Sequence, residues 1–165
     1  MDLKRVFRHL FWPHWWVLRA LPPKLLQRVE QAVAASESAH GGELRVVVEA
    51  NLPLSGLWRG QSARRPAIEL FSLLRVWDTE QNSGVLIYLQ LIDRRVEIVA
   101  DRGIDARVGQ EFWDGVCRRM EAAFGDGDFE AGTVLALDTI TQALQKHFPA
   151  VAENPDELPN SPLVL

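Results

Sequence analysis

Trp77-Asp78-Thr79-Glu80-Gln81-Asn82-Ser83-Gly84-Val85-Leu86-Ile87-Tyr88-Leu89-Gln90-Leu91-Ile92-Asp93-Arg94-Arg95-Val96-Glu97-Ile98-Val99-Ala100-Asp101-Arg102-Gly103-Ile104 decides the fold. An acidic, amide-bearing loop over residues 78–83 runs into an almost continuous apolar stretch, residues 84–92. Such a run reads as a strand buried on both faces. Asp93-Arg94 turns the chain. Val96, Ile98 and Ala100 then alternate with Glu97, Val99 and Asp101, the period of a second strand. Two strands this close in sequence pair antiparallel.

Working outward, residues 43–49 alternate with Leu44, Val46 and Val48 on one side and read as a further strand. A helix with Ala67, Leu70, Phe71, Leu74 and Trp77 at helical spacing separates it from the apolar run. Ser62 is its expected cap, and Pro66 lies early enough to be tolerated. Strand, helix and strand then form a βαβ unit, expected parallel and right-handed. Residues 50–61 read as a long loop. Upstream, Pro22-Pro23 opens a helix with Leu25, Val29, Ala32, Val33 and Ser36 on one face, closed by Gly41-Gly42. Downstream, Gly109 precedes a helix with Trp113, Val116, Cys117, Met120 and Phe124 on one stripe. Asp128 caps a last helix carrying Val134, Leu137, Thr141, Leu144 and Phe148. The order predicts a three-layer α/β/α sandwich around a small mixed β-sheet.

The 165 residues suffice for one domain with its own core. The expected organisation is a basic, aromatic arm over residues 1–21, a domain over residues 22–149 and an extended Pro-rich tail over residues 150–165. A net charge of −4 argues against a nucleic-acid binder. A single cysteine excludes an internal disulfide. No apolar run approaches the ~20 residues that span a bilayer. His9, Pro13, His14 and Arg19 interrupt any signal-peptide core. A cytoplasmic address is the simplest expectation. In the arm, Trp12, Trp15 and Trp16 among basic residues suit a membrane interface. Pro13 breaks the segment, however, and the apolar residues of the whole arm form no single stripe. Packing over the domain or against another subunit is therefore the favoured reading, with peripheral contact at the inner membrane as the alternative.

Asp78, Glu80, Asn82, Asp101 and Asp105 are the candidate ligand set. The loop ends where the central strand begins, and the hairpin partner returns to that edge at Asp101. Their oxygens are thus expected to meet on one rim of the sheet. Oxygen-only ligands suit Ca2+ or Mg2+, and clustered carboxylates repel without a cation. The competing reading is a solvated loop with ordinary helix-capping acids. With a bound metal, Asp78 and Asp101 are the candidate catalytic carboxylates for hydrolysis of a phosphate ester. Arg94, Arg95 and Arg102 are expected to balance the rim through ion pairs.

Other groups read more simply. Asp126-Gly127-Asp128 lacks EF-hand spacing and is a helix stop followed by a cap. Cys117 lies on an apolar stripe and reads as core. His9, His14, His40 and His147 form no zinc-type spacing.

These motifs together resemble the TPM domain family, which includes a thylakoid-lumen protein with acid-phosphatase-like activity. The resemblance rests on Trp77-Asp78, Asn82-Ser83-Gly84-Val85-Leu86, Asp93-Arg94-Arg95-Val96-Glu97-Ile98, Gly103-Ile104, Gly127-Asp128-Phe129 and Gly132, and covers residues 24–148. It implies an α/β/α domain, divalent-cation binding by acidic loops, and association with membrane-anchored LemA-type proteins. The family's Asn-Asn-Gly stands here as Asn82-Ser83-Gly84, and its Gly-X-Gly as Asp101-Arg102-Gly103. The function expected is a binding or accessory module with a weak divalent-cation site. A metal-dependent acid phosphatase and a peripheral membrane protein are the alternatives.

Overall fold

The computed structural model describes residues 3–11, 21–150 and 157–165. Trp12, Pro13, Trp15, Trp16 and Arg19 of the arm and Pro155 of the tail lie outside the described residues. In chain order the elements are α1 (Leu3–Phe11), α2 (Pro23–Glu37), β1 (Leu44–Glu49), α3 (Leu54–Trp58), α4 (Arg64–Leu73), β2 (Val85–Gln90), β3 (Arg95–Ala100), α5 (Arg102–Val108), α6 (Gln110–Gly125), α7 (Phe129–His147) and β4 (Leu163–Val164).

The sheet order is β3-β2-β1-β4. β1 and β2 pair parallel with Leu44 opposite Val85 and Val48 opposite Leu89, while β2 and β3 pair antiparallel with Ile87 opposite Ile98. Every residue of β2 is buried, as an apolar run without alternation requires of a central strand. The register sorts side chains to two cores. Leu44, Val46, Val48, Val85, Ile87, Leu89, Val96 and Ile98 face α2, α6 and α7 through Val33, Trp113, Phe124 and Leu137. Val47, Leu86, Tyr88 and Val99 face α4 through Ala63 and Ala67. This is the expected three-layer arrangement.

Helix ends follow the residues that can satisfy them. Asp128 accepts the Ala131 N–H at 3.0 Å, the cap expected of it. Gly127 takes φ +85°, the left-handed stop before it. Ser62 does not cap α4. That position falls to Ala63, whose backbone is already helical (φ −62°, ψ −24°) and which offers no side-chain acceptor. The helix also ends before Trp77, which is about half exposed.

Four elements had no counterpart in the sequence reading, the first being the helix α1 within the N-terminal arm. α3 interrupts the expected loop over residues 50–61. α5 follows β3 with a single intervening residue, Asp101. The tail adds β4 parallel to β1, with Val47 opposite Leu163. Its anchor is Arg45, whose guanidinium donates to the carbonyls of Ser161 (2.5 Å) and Pro159.

Candidate functional site

The rim at the start of β2 is built by two backbone closures. The Asp101 N–H donates to the Gly84 carbonyl at 2.8 Å, so the chain leaving β3 lies against the chain entering β2. Gly103, in the first turn of α5, is where the Gln81 and Asn82 carbonyls approach. A Cβ there would lie 2.5 Å from Asn82 O and 2.8 Å from Gln81 O. The loop itself is pinned by Thr79, whose Oγ1 accepts the Ser83 N–H at 3.0 Å, and by Ser83 Oγ, which donates to the Gly41 carbonyl at 3.0 Å. Asn82 takes φ +53°, a left-handed conformation that an amide side chain tolerates better than most.

The five candidate residues divide. Asp101 and Asn82 are brought together: Arg102, adjacent to the first, donates from Nε to Asn82 Oδ1 at 3.1 Å. Asp101 is only 8% exposed. Its Oδ1 accepts the Arg102 N–H at 2.7 Å and caps α5, while its buried Oδ2 has no hydrogen-bond partner. Asp105 is one turn along α5, and its Oδ1 accepts the Trp113 indole N–H at 2.9 Å, an inward structural contact. Asp78 and Glu80 are exposed. The Glu80 backbone N–H meets the Glu157 carboxylate of the tail at 3.3 Å. Among the described residues, no group of three or more His, Cys, Asp or Glu side chains is placed to hold a metal ion.

The arginines divide as well. Only Arg102 stands on this rim. The six residues of β3 carry Arg94 and Arg95 to the opposite end of the sheet. There Arg95 pairs with Glu121 at 3.1 Å and Arg94 donates to the Gly125 carbonyl at 3.1 Å. Asp101 therefore keeps one buried carboxylate oxygen without a hydrogen-bond partner, one residue before the guanidinium that engages Asn82 Oδ1.

The sequence reading missed the polar cluster at the far end of the sheet. There Asp93 receives Arg5 Nη2 at 2.7 Å, with Arg8 Nη2 at 3.6 Å and His9 Nε2 at 3.3 Å. A cavity of about 500 Å³ opens beside it, lined by Arg5, Arg8, Gln61, Asp93, Glu97 and Glu121 among others. Its charges are of both signs and largely paired. Spacing held the signal: Arg5, Arg8 and His9 share one side of a helical turn.

An α/β/α module with a mixed sheet, a parallel β1–β2 pair and a Gly-closed acidic rim defines the class of protein. The family model of the TPM domain matches residues 19–143, and the chain belongs to the TPM domain family. Similar solved structures include the following two. The BA42 protein from the psychrophilic bacterium Bizionia argentinensis is 28% identical, with a TM-score of 0.75 over 86% of this chain and 93% of that one. The N-terminal domain of a P. gingivalis protein, 19% identical with a TM-score of 0.62, covers 79% of this chain and 82% of that one, and shares the fold. No curated protein matches the chain. Among the described residues, no helix is long and apolar enough to cross a membrane.

Proposed function

We propose that this TPM domain is a binding or accessory module whose Asp101 rim takes a divalent cation, Ca2+ or Mg2+, with low affinity. The observation that carries the reading is the Asp101 carboxylate: nine-tenths buried, capping a helix with one oxygen and leaving the other without a hydrogen bond. A buried carboxylate oxygen in that condition costs free energy, and a cation offsets it. Asp101 Oδ2 is the charged donor, and the Gln81 and Asn82 carbonyls that close on Gly103, two residues along, are the nearest candidates to complete the set. Arg102 limits affinity by its charge.

Binding is favoured over phosphate-ester hydrolysis by the placement of the two candidate carboxylates. Hydrolysis with Asp78 and Asp101 as a pair needs both at one metal. Asp101 is buried under the α5 turn, whereas Asp78 is exposed on the loop.

Calorimetric titration with CaCl2 and MgCl2 tests the proposal. The native chain should bind with Kd on the order of 10⁻⁴–10⁻³ M, the range of weak oxygen-liganded sites. Asp101→Asn keeps the helix cap, because asparagine caps as well as aspartate, but loses the charge and the binding. Equal heats from both proteins would remove the site. Metal-dependent turnover of an aryl phosphate that Asp78→Asn abolishes would replace this reading with the hydrolytic one.

A further inference from the structure

α1 is inverted relative to the rule for surface helices. At 100° per residue, Leu3, Val6, Phe7, Leu10 and Phe11 fall within an arc of about 140°. Lys4, Arg5, Arg8 and His9 occupy the other side. The expectation of no single stripe, drawn over all of residues 1–21, is wrong for residues 3–11. An ordinary amphipathic helix turns its apolar stripe to the core; α1 turns its polar side there. Arg5 donates to Asp93 Oδ2 from Nε at 2.8 Å and to the Gln61 carbonyl from Nη1 at 2.9 Å. His9 is buried, and its Nδ1 accepts the Leu52 N–H at 3.1 Å. Leu3, Phe7, Leu10 and Phe11 are each more than half exposed. The Phe7 and Phe11 rings stack on each other at 5.7 Å. The short helix α3 packs against α1 and adds Leu54 and Trp58, both also half or more exposed.

We infer that this face docks the protein onto an anionic lipid surface, with the α1 phenylalanines and leucines inserted at the headgroup boundary. Charge distribution selects this occupant. The chain is acidic overall, at −4, yet residues 1–21 hold four Lys or Arg against one Asp. α1 itself contains no acidic residue, and Lys4 and Arg8 border its apolar arc. A segregated helix with cations at its border and aromatics on its face matches an interfacial anchor. The sequence continues with Trp12, Trp15 and Trp16, the residue type enriched at such boundaries. Pairing with a second copy through the same patch is disfavoured, because an isologous contact sets one cationic border against the other. The ion pairs to Asp93 hold the helix in its outward-facing orientation before any lipid is met. The inference stands independently of the Asp101 rim.

Flotation of the full chain with phosphatidylcholine vesicles, with and without phosphatidylglycerol, tests it. The native protein should float with the anionic vesicles, less with the neutral ones, and less again at high salt. Phe7→Ser with Phe11→Ser should lower vesicle partitioning on the order of tenfold or more while leaving the thermal transition unchanged. Leu3→Ser with Leu10→Ser, on the same face, should do the same. Equal flotation of native and variant proteins overturns the inference, as does a native protein that ignores vesicles. A lipid-independent dimer that F7S/F11S converts to monomer assigns the face to a second copy and equally overturns it.

Discussion

Arg5 and Asp93, 88 residues apart in sequence, form a two-point ion pair, Nε and Nη2 both on Oδ2 at 2.8 and 2.7 Å, that fastens the N-terminal helix to the β2–β3 turn. Burial alone would push the Asp93 carboxyl up. Hydrogen bonds from His9 and Arg5, with the charge of Arg5, outweigh burial and pull it from 3.8 down to about 2. A carboxyl depressed in the folded state adds stability above its unfolded value and loses it as pH falls through the folded value. The window is therefore from about pH 4 down to about pH 2, and the contribution is about 2 kcal/mol. Asp93→Asn should cost about that much near neutrality in urea unfolding. It should also flatten the acid limb within that window and render residues 3–11 open to protease.

A second acid-sensitive element lies in the core. His40 is fully buried. Its Nδ1 accepts the Gly42 N–H at 3.2 Å, which places the proton of the neutral ring on Nε2, 2.7 Å from Ser36 Oγ. Ser36 Oγ lies 2.6 Å from Thr141 Oγ1, and the Thr141 hydroxyl donates to the Leu137 carbonyl at 2.7 Å. The chain of donors closes only with a neutral imidazole. Burial lowers the His40 pKa from 6.5 to about 4. Unfolded protein binds the proton first, so stability is complete above about pH 6.5 and falls by about 3 kcal/mol as pH drops towards 4. His40→Gln should be less stable at pH 7 yet nearly flat across that window when denaturation midpoints are followed.

The hairpin was readable because both of its signals are local: an unbroken apolar run for β2 and a period of two for β3. α5 was not, since seven residues hold only Ile104 and Val108 at helical spacing. β4 was not, because two residues carry no period; what makes Leu163–Val164 a strand is the open edge of β1, a property of the tertiary structure. At the rim, the adjacency of Asn82 and Asp101 followed from antiparallel return. The outward course of Asp78 and Glu80 did not, because a loop's direction has no periodic signature. The α1 stripe was hidden by averaging it with the Pro-broken segment that follows.

The tail should depend on one guanidinium. Arg45 is buried, and beyond its bonds to Pro159 and Ser161 the tail is held by the Leu165 N–H on Val48 O at 2.9 Å and the Leu158 N–H on Glu43 Oε2 at 3.0 Å. Hydrogen bonds from a charged donor contribute about 1.5–3 kcal/mol. Arg45→Ala should release residues 157–165 at about that cost. Amide exchange at Leu165 should accelerate to the rate of an unpaired strand, while β2 amides stay protected. Protection of Leu165 retained in the variant would show that the β1 edge alone holds the tail.

Two glycines should respond in opposite directions to the same substitution. At Gly84, where the loop enters β2, an added Cβ would stand 1.9 Å from the Val76 carbonyl oxygen. That atom is backbone, fixed by the turn at the end of α4, so neither partner can yield without opening the rim. Gly84→Ala should therefore destabilise by about 3 kcal/mol or more, in the range of severe overpacking. Gly125, in the last turn of α6, has no heavy atom within 4 Å of the added Cβ and no left-handed φ. Alanine there loses less backbone entropy on folding and should stabilise by about 0.5–1 kcal/mol. Thermal unfolding of the two variants beside the native chain checks both signs. A Gly84→Ala protein that melts with the native one would mean that the Val76 carbonyl does not press on Gly84.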